Sequence, residues 1–316
     1  MSAPMVETIN LKKYFKTGSG MLHAVEDVNL KIEKGKTLGV VGESGCGKST
    51  LGRTILRLQP ATDGQVLYEG EDVLKYKKKD MKKLHLNMQM VFQDPFSSLD
   101  PRMSIHNLIA EPIEVCDIFK TKKEINEHVV RIMEMCGLPA NLANLYPHEL
   151  DGGFRQRVGL ARAMAVSPKF IVCDEPVSAL DVSIQAQILN LLMDLQDERQ
   201  LSYMFITHDL CVVKHISNEI MVMYMGQTVE YAKTAELFAH PLHPYTQALL
   251  EAVPTPDLSR RNRERNTLKG EVSNPINPAP GCRFKPRCRF ADKECDGECP
   301  LKEVSPGHLV ACCKCG

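Results

Sequence analysis

The sequence predicts an α/β protein with four parts. These are a parallel sheet core, an antiparallel β subdomain at the N-terminus, an inserted helical lobe and a small cysteine-rich C-terminal extension. Three observations carry this. Short apolar runs (TLGVV, FIVCD, YMFIT) alternate with amphipathic helical stretches, the pattern of a parallel sheet covered on both faces. Residues 104–165 lose that alternation and become helical. Finally, seven of the 12 cysteines (Cys282, Cys288, Cys295, Cys299, Cys312, Cys313 and Cys315) crowd the end of the chain.

Taken in order, VETINLKKYF and AVEDVNLKI mix alternation with turn signals and read as strands, and TLGVV is a short buried strand running into Gly42. GKSTLGRTILRL continues as a helix with Leu51, Ile55 and Leu58 on one side, QVLYEGEDV is an outer strand and turn, and YKKKDMKK is a solvated charge run. Ile125, Val129, Ile132, Met133 and Cys136 recur at helical spacing until Gly137 and Pro139 stop them. After Pro168 the strand–helix alternation returns: FIVCD, then a helix face of Ile184, Ile188, Leu191, Leu192 and Leu195, then YMFIT, then EIMVMY and QTVEY as a closing hairpin. Beyond 233, HPLHPYTQALLEAVP is a short helix, RRNRERN a basic linker and NPINPAP an extended segment.

Composition narrows the function. The 316 residues carry 39 basic and 39 acidic side chains, and this neutrality argues against a nucleic-acid partner. No apolar run approaches membrane-spanning length, and the N-terminus lacks the pattern of a secretory signal, so a cytoplasmic protein is expected. In a reducing compartment the crowded cysteines point to metal binding rather than disulfides.

The strongest local signal is Gly42-Glu43-Ser44-Gly45-Cys46-Gly47-Lys48-Ser49, followed by Thr50. It fits G-x-x-x-x-G-K-[ST] between a strand and a helix. Its glycines let backbone N–H groups curl around phosphate oxygens, Lys48 reaches the β- and γ-phosphates, and the Ser49 hydroxyl ligates Mg²⁺. FIVCD followed by Glu175 places Asp174 and Glu175 at the carboxyl end of a buried strand, where ligands sit in an open parallel sheet. Asp174 suits Mg²⁺ and Glu175 suits activation of the attacking water. His208 after YMFIT and Gln93 after MQMVF emerge from strands in the same way, as candidates for the γ-phosphate and for Mg²⁺ or the water.

Six motifs in one order, GESGCGKST, VFQDP, LDGGFRQRVGLARA, FIVCDEP, SALD and ITHD, make residues 5–232 resemble the ATP-binding subunits of ATP-binding-cassette (ABC) transporters. VFQDPFSSLDPR, YPHEL, HPLHPYTQALL and the cysteine tail are similar, more narrowly, to the oligopeptide/dipeptide (and nickel) importer subfamily. The resemblance implies an ATP-hydrolysing P-loop cassette over 1–232, with its helical lobe at about 95–165, and an extension over 233–316 whose cysteine segment spans 282–315. It also implies a second, distinct ATPase subunit, two transmembrane permease subunits, an extracellular binding protein, and a peripheral location on the cytoplasmic face of the membrane. In the family an aromatic stacks on adenine; counting back from Ala24 favours Phe15, with Tyr14 next. Asp181 would shape the contact between ATPase subunits.

One motif departs from the family. Where its signature reads L-S-G-G-Q, this chain has Leu150-Asp151-Gly152-Gly153-Phe154. Asp151 puts an acceptor-only carboxylate where a hydroxyl donates to the partner's ATP, while Gly152 and Gly153 remain, so two unequal ATP sites are expected. In the tail, Cys282, Cys288, Cys295 and Cys312 suit zinc or a [4Fe–4S] cluster, and the resemblance favours the cluster. Cys299, Cys313 and Cys315 are surplus, and Arg283, Lys285, Arg287 and Arg289 would offset the cluster's charge. The alternatives are a soluble ABC-type ATPase outside transport and a regulatory subunit with a degenerate site. The cargo stays open between peptide, nickel chelate and oligosaccharide.

Overall fold

The computed structural model describes residues 3–94, 98–253 and 275–315. The predicted linker RRNRERN lies outside the described residues, as do three residues of VFQDPFSSLDPR. In chain order the main elements are β1 (Val6–Thr17), β2 (Gly20–Ile32), β3 (Thr37–Val41), α1 (Lys48–Ile55), β4 (Asp63–Tyr68), β5 (Glu71–Asp72), α2 (Lys78–Asn87) and β6 (Met88–Val91). There follow α3 (Ile105–Val115), α4 (Lys122–Met135), α5 (Gly152–Met164), β7 (Phe170–Asp174), α6 (Val182–Arg199), β8 (Ser202–Thr207) and α7 (Leu210–Ile216). The chain closes with β9 (Glu219–Tyr224), β10 (Gln227–Lys233), α8 (Thr234–Ala239), α9 (Pro244–Ala252), β11 (Lys302–Ser305) and β12 (His308–Val310).

Contacts divide the chain into two compact units. The first comprises Met1–Met5, Ile32–Lys36 and Tyr68–Ile206. Its β6, β7 and β8 run parallel, with Met90 opposite Val172 and Val172 opposite Met204. Every residue of β7 and β8 is buried, which explains why both read as continuous apolar runs. The helical lobe belongs to this unit, with α3 packed on both α4 and α5. Helix α4 begins at a capping box, Thr121 accepting from Glu124 N–H while the Glu124 carboxylate accepts from Thr121 N–H. It ends where Gly137 takes the left-handed backbone (φ 65°) and Leu138 N–H returns to Met133 O, a glycine stop. Between those ends Val129, Ile132 and Met133 are buried, each such side chain contributing about 1.5–3 kcal/mol.

The second unit comprises Val6–Lys31, Thr37–Leu67 and Thr207–Gly316. Here β1 and β2 form a hairpin with β4 on the other side of β1. Strand β3 runs parallel to β9, and β9, β10, β12 and β11 continue as antiparallel neighbours. The β9–β10 turn is Met225-Gly226, both at positive φ (44° and 84°), as a two-residue hairpin of this twist requires. Within NPINPAP, Ile276 bridges Leu22 but Asn277 turns left-handed (φ 44°) rather than extended, its N–H donating to Met21 O and its Oδ1 accepting from Met21 N–H, each at 2.9 Å. The extension therefore shares its core with the strands around it. Tyr245 and Phe284 pack with Tyr224, ring centroids 4.8 and 5.2 Å away, in one cluster with Val41, Val213 and Val222.

A wholly buried carboxylate pins this arrangement. Glu230 of β10 accepts from Leu242 N (2.8 Å), His243 N (2.9 Å) and His308 Nε2 (2.8 Å), which ties β12 and the turn before α9 to the sheet. No described helix is long and apolar enough to cross a membrane.

His243 caps α9 through Nδ1, which accepts from Tyr245 N–H at 3.1 Å. Burial lowers its pKa from 6.5 to about 4, so the folded chain keeps it neutral at a pH where the unfolded chain protonates it. Stability from this group is therefore full above pH 6.5 and falls as the pH drops toward 4, by at most about 1.4 kcal/mol per pH unit. His243→Asn keeps a capping acceptor and removes the titration. Thermal midpoints measured across that range should fall less steeply with acidification than those of the wild type.

Candidate nucleotide site

In the second unit the segment after β3 forms a loop with room for backbone alone. A Cβ on Gly42 would lie 2.2 Å from Met223 O, and one on Gly47 would lie 2.1 Å from Ala24 O. Gly45 is also left-handed (φ 79°) but borders open space. Gly47 is the N-cap of α1 at φ 105°, so the first N–H groups of the helix and those of the loop share one mouth. Ser44 and Gly45 are exposed at it, Cys46 is buried beneath, and Ser49 and Thr50 stand half-buried in the first turn of the helix. Buried Lys48 folds back over the loop, donating from Nζ to Gly42 O (2.7 Å) and Glu43 O (3.0 Å). An ammonium held there with aligned amides is a ready cradle for phosphate oxygens.

Two aromatics of β1, Tyr14 and Phe15, differ in their commitments. Tyr14 stacks on His23 (4.1 Å between centroids, 24° between planes) and donates its hydroxyl to Glu26. Burial works against the charge on Glu26, but hydrogen bonds from Tyr14, His23 and Arg283 outweigh it and hold the carboxyl below its usual pKa. Phe15 is half-buried, with Lys13 Nζ 4.7 Å from its ring centroid. His208 is exposed immediately after β8.

The first unit brings together a second group. Asp174 ends β7 wholly buried, and Glu175 follows in the left-handed region (φ 46°), an uncommon backbone for a side chain-bearing residue and a form of strain that concentrates at functional sites. The Glu175 N–H donates to Ile206 O at 2.9 Å, and Gln93 Nε2 donates to Glu175 Oε2 at 2.9 Å, so the two predicted residues meet directly. Asp181 caps α6, accepting from Ser183 N–H, Ser183 Oγ and Ile184 N–H, and the Ser183 hydroxyl leads the interactions that lower its pKa.

Asp151 has a local task that sequence reasoning missed. It is the N-cap of α5 and accepts from Phe154 N–H at 2.8 Å, so its carboxylate turns into its own helix. The signal was available, since Asp is among the strongest N-caps and Gly-Gly-Phe-Arg opens a helix. Gly153 is needed for packing as well, because a Cβ there would come within 2.8 Å of Ile184 Cγ2.

The cysteine segment lies in the second unit. Among the described residues, the potential ligand atoms within 4.8 Å of one another belong to Asp292, Cys295 and Cys313. Cys313, surplus on sequence grounds, stands 3.4 Å from Cys295 sulfur to sulfur, while Cys312 shares a side-chain hydrogen bond with Cys315. Cys313 and Lys314 form a turn across which Cys315 N–H donates to Cys312 O at 3.4 Å. Desolvation, with the Cys295 and Cys299 thiols, pushes the Cys313 thiol up to about 12, and burial pushes Cys282 up to about 11, so metal binding here would release protons. The donor set, soft thiols within one short segment, fits zinc or an iron–sulfur cluster. Of the basic residues expected to offset cluster charge, Arg283 pairs with Glu26, Arg287 with Glu43 and Lys285 with Asp296, and Arg289 donates to Gln247 Oε1 at 3.4 Å.

A glycine-lined phosphate loop and a strand-end acid pair with its attendant glutamine define a nucleoside-triphosphatase cassette. Residues 25–178 match the ABC transporter family and residues 229–295 match the oligopeptide/dipeptide transporter C-terminal region. The chain is 48% identical to the oligopeptide transport ATP-binding protein AppF of Bacillus subtilis, with 99% of each chain covered. It is 49% identical to OppF of Salmonella typhimurium, covering 96% of this chain and 91% of that one. Among solved structures it is similar to cbiO1 of Clostridium perfringens, part of the cbiONQ ABC transporter complex (TM-score 0.67, 25% identity, 75% of this chain and 92% of that one). It is also similar to the bacterial ABC transporter cassette MJ0796, solved as a dimer (TM-score 0.66, 27% identity, 73% and 99%). The chain belongs to the ATP-binding subunits of ABC transporters, in the oligopeptide/dipeptide branch.

Because Asp151 acts as a cap, Asp151→Ala should cost about 1 kcal/mol of stability while Asp151→Ser leaves it within about 0.5 kcal/mol. Denaturant titration of the three proteins measures both differences.

Proposed function

We propose that this chain hydrolyses ATP to drive uptake of oligopeptides through membrane partners. The cassette would span 1–232, with its helical lobe at about 95–165 receiving the coupling to the permeases, and the extension 233–316. The observation that carries the reading is the loop Gly42–Thr50, whose backbone cradle and buried Lys48 suit a triphosphate and little else.

Nucleotide binding would place the phosphates over the Gly42, Ser44, Gly45, Cys46 and Gly47 backbone, with Lys48 on the β- and γ-phosphates. Ser49, Gln93 and Asp174 each offer an oxygen donor of the kind Mg²⁺ takes, and the ion would neutralise phosphate charge. Glu175, oriented by Gln93, accepts a proton from the attacking water, and His208 contacts the γ-phosphate. Phe15 is the better adenine platform because the Tyr14 ring and hydroxyl are already engaged. Asp151, Gly152 and Gly153 would face the ATP of a second, distinct ATPase subunit, and Asp181 would lie near that contact. With the Asp151 carboxylate turned into helix α5, the hydroxyl donor of other signatures is lost, which supports two unequal sites. Two permease subunits and an extracellular binding protein complete the assembly, with this chain peripheral on the cytoplasmic face.

The cysteine segment is proposed to hold a [4Fe–4S] cluster, with zinc as the alternative, on Cys282, Cys288, Cys295 and Cys312, or with Cys313 replacing Cys312. Iron, sulfide and zinc analysis of anaerobically purified protein decides; one equivalent of zinc without iron removes the cluster.

In the assembled complex, Glu175→Gln should lower ATP hydrolysis at least about a hundredfold while MgATP still binds. Unchanged hydrolysis in this variant, with loss on changing the partner's equivalent glutamate, would reverse the assignment of which site turns over.

A further inference from the structure

The cysteine-bearing segment holds the phosphate loop through an ion pair. Arg287 Nη1 and Nη2 donate to Glu43 Oε2 and Oε1 at 2.6 and 3.0 Å, a two-pronged bond in which guanidinium and carboxylate planes are matched. The Arg287 side chain is 7% exposed and Glu43 22%, and the guanidinium carbon lies 5.9 Å from the Tyr224 ring centroid. Glu43 is the second residue of the loop. Its backbone is held from the same side, its N–H donating to the Tyr245 hydroxyl at 2.8 Å, while its carbonyl accepts from Lys48 Nζ. One residue of the loop thus connects Lys48, helix α9 and the cysteine segment.

Arg287 is itself well fixed. Lys285–Arg287 form a single 3₁₀ turn between Cys282 and Cys288, and Phe284, its N-cap residue, is buried against Tyr224 and Tyr245. Cys282 N–H donates to Cys295 O at 2.9 Å, which joins the turn to the next cysteine. On the other side of Phe284, Arg283 pairs with Glu26 at 3.0 Å, the carboxylate that also holds Tyr14 and His23. The same short segment therefore reaches both the phosphate loop and the strands before it.

We propose that Arg287 is a positioning residue for nucleotide binding: anchored by the cysteine segment, it fixes Glu43 and thereby the geometry of the loop that receives the phosphates. The inference rests on the ATP site assigned above. Exposed ion pairs contribute little, but a nearly buried two-pronged pair leaves an uncompensated charge when one partner is removed. Loosening Glu43 frees the backbone on which Lys48 rests, and this shows first in affinity.

MgATP binding to the purified full chain, followed by calorimetry, tests it. Arg287→Met and Glu43→Ala should each weaken binding roughly tenfold, Arg287→Lys by less, and the double variant no more than the worse single one. Thermal midpoints separate this from general loss of structure. Should Arg287→Met fail to fold, Glu43→Ala, which leaves the cysteine segment intact, carries the test. Affinity within twofold of wild type for the single variants, or additive losses in the double variant, overturns the proposal. Lys48→Ala reports on the site itself: retained binding there overturns the ATP assignment, whereas lost binding with unaffected Glu43→Ala overturns the Arg287 role alone.

Discussion

The second unit depends on a shortage of space around the phosphate loop. Gly42 abuts the Met223 carbonyl at the end of β9, and Gly47 abuts the Ala24 carbonyl in β2. The β9–β10 turn completes the enclosure: Gly226 N–H donates to Cys46 O at 2.9 Å, its carbonyl accepts from Glu26 N–H at 2.8 Å, and a Cβ on it would lie 2.4 Å from His23 O. Three backbone segments distant in sequence thus meet with no side chain between them. The parallel register of β3 on β9 and the tight turn after β9 are both required for that meeting.

The parts of this arrangement legible in the sequence are those with a local or periodic signature. TLGVV, FIVCD and YMFIT announce themselves because a strand buried on both faces must be apolar throughout. The loop motif is legible because glycine alone tolerates such close backbone approach, and the helix of the lobe is legible from its spacing and from Gly137. Gln93 and Glu175, named separately as strand-end polar residues, meet at 2.9 Å, although no pattern in the chain joins positions 82 residues apart.

What stayed hidden was pairing without period. Glu43 and Arg287 are 244 residues apart, and Glu230 and His308 are 78 apart; each is an ordinary polar residue in its own neighbourhood. Adjacency to cysteines suggests Arg283 and Arg287 as compensation for a metal cluster, and the chain pattern does not show that burial also pairs them with the carboxylates of Glu26 and Glu43. The cap at Asp151 is hidden for a related reason: beside the phosphate of a partner subunit its carboxylate reads as repulsive, while the N–H it answers is that of Phe154 in its own helix.

The C-terminal extension is accordingly a structural part of the unit that carries the loop. Its strand β12 pairs with β10 with Val310 opposite Glu230, and Glu230 has three donors, two from the turn before α9 and one from His308. A wholly buried carboxylate so placed costs desolvation that a hydrophobic residue would avoid, but it accepts only one arrangement of those donors. A slip of β12 by one residue would turn His308 to the other face of the strand and leave the carboxylate short of a partner. The same register sets where the chain emerges at Ala311, whose N–H donates to Val229 O at 2.9 Å, and so fixes the start of the segment that carries Cys312 and Cys313.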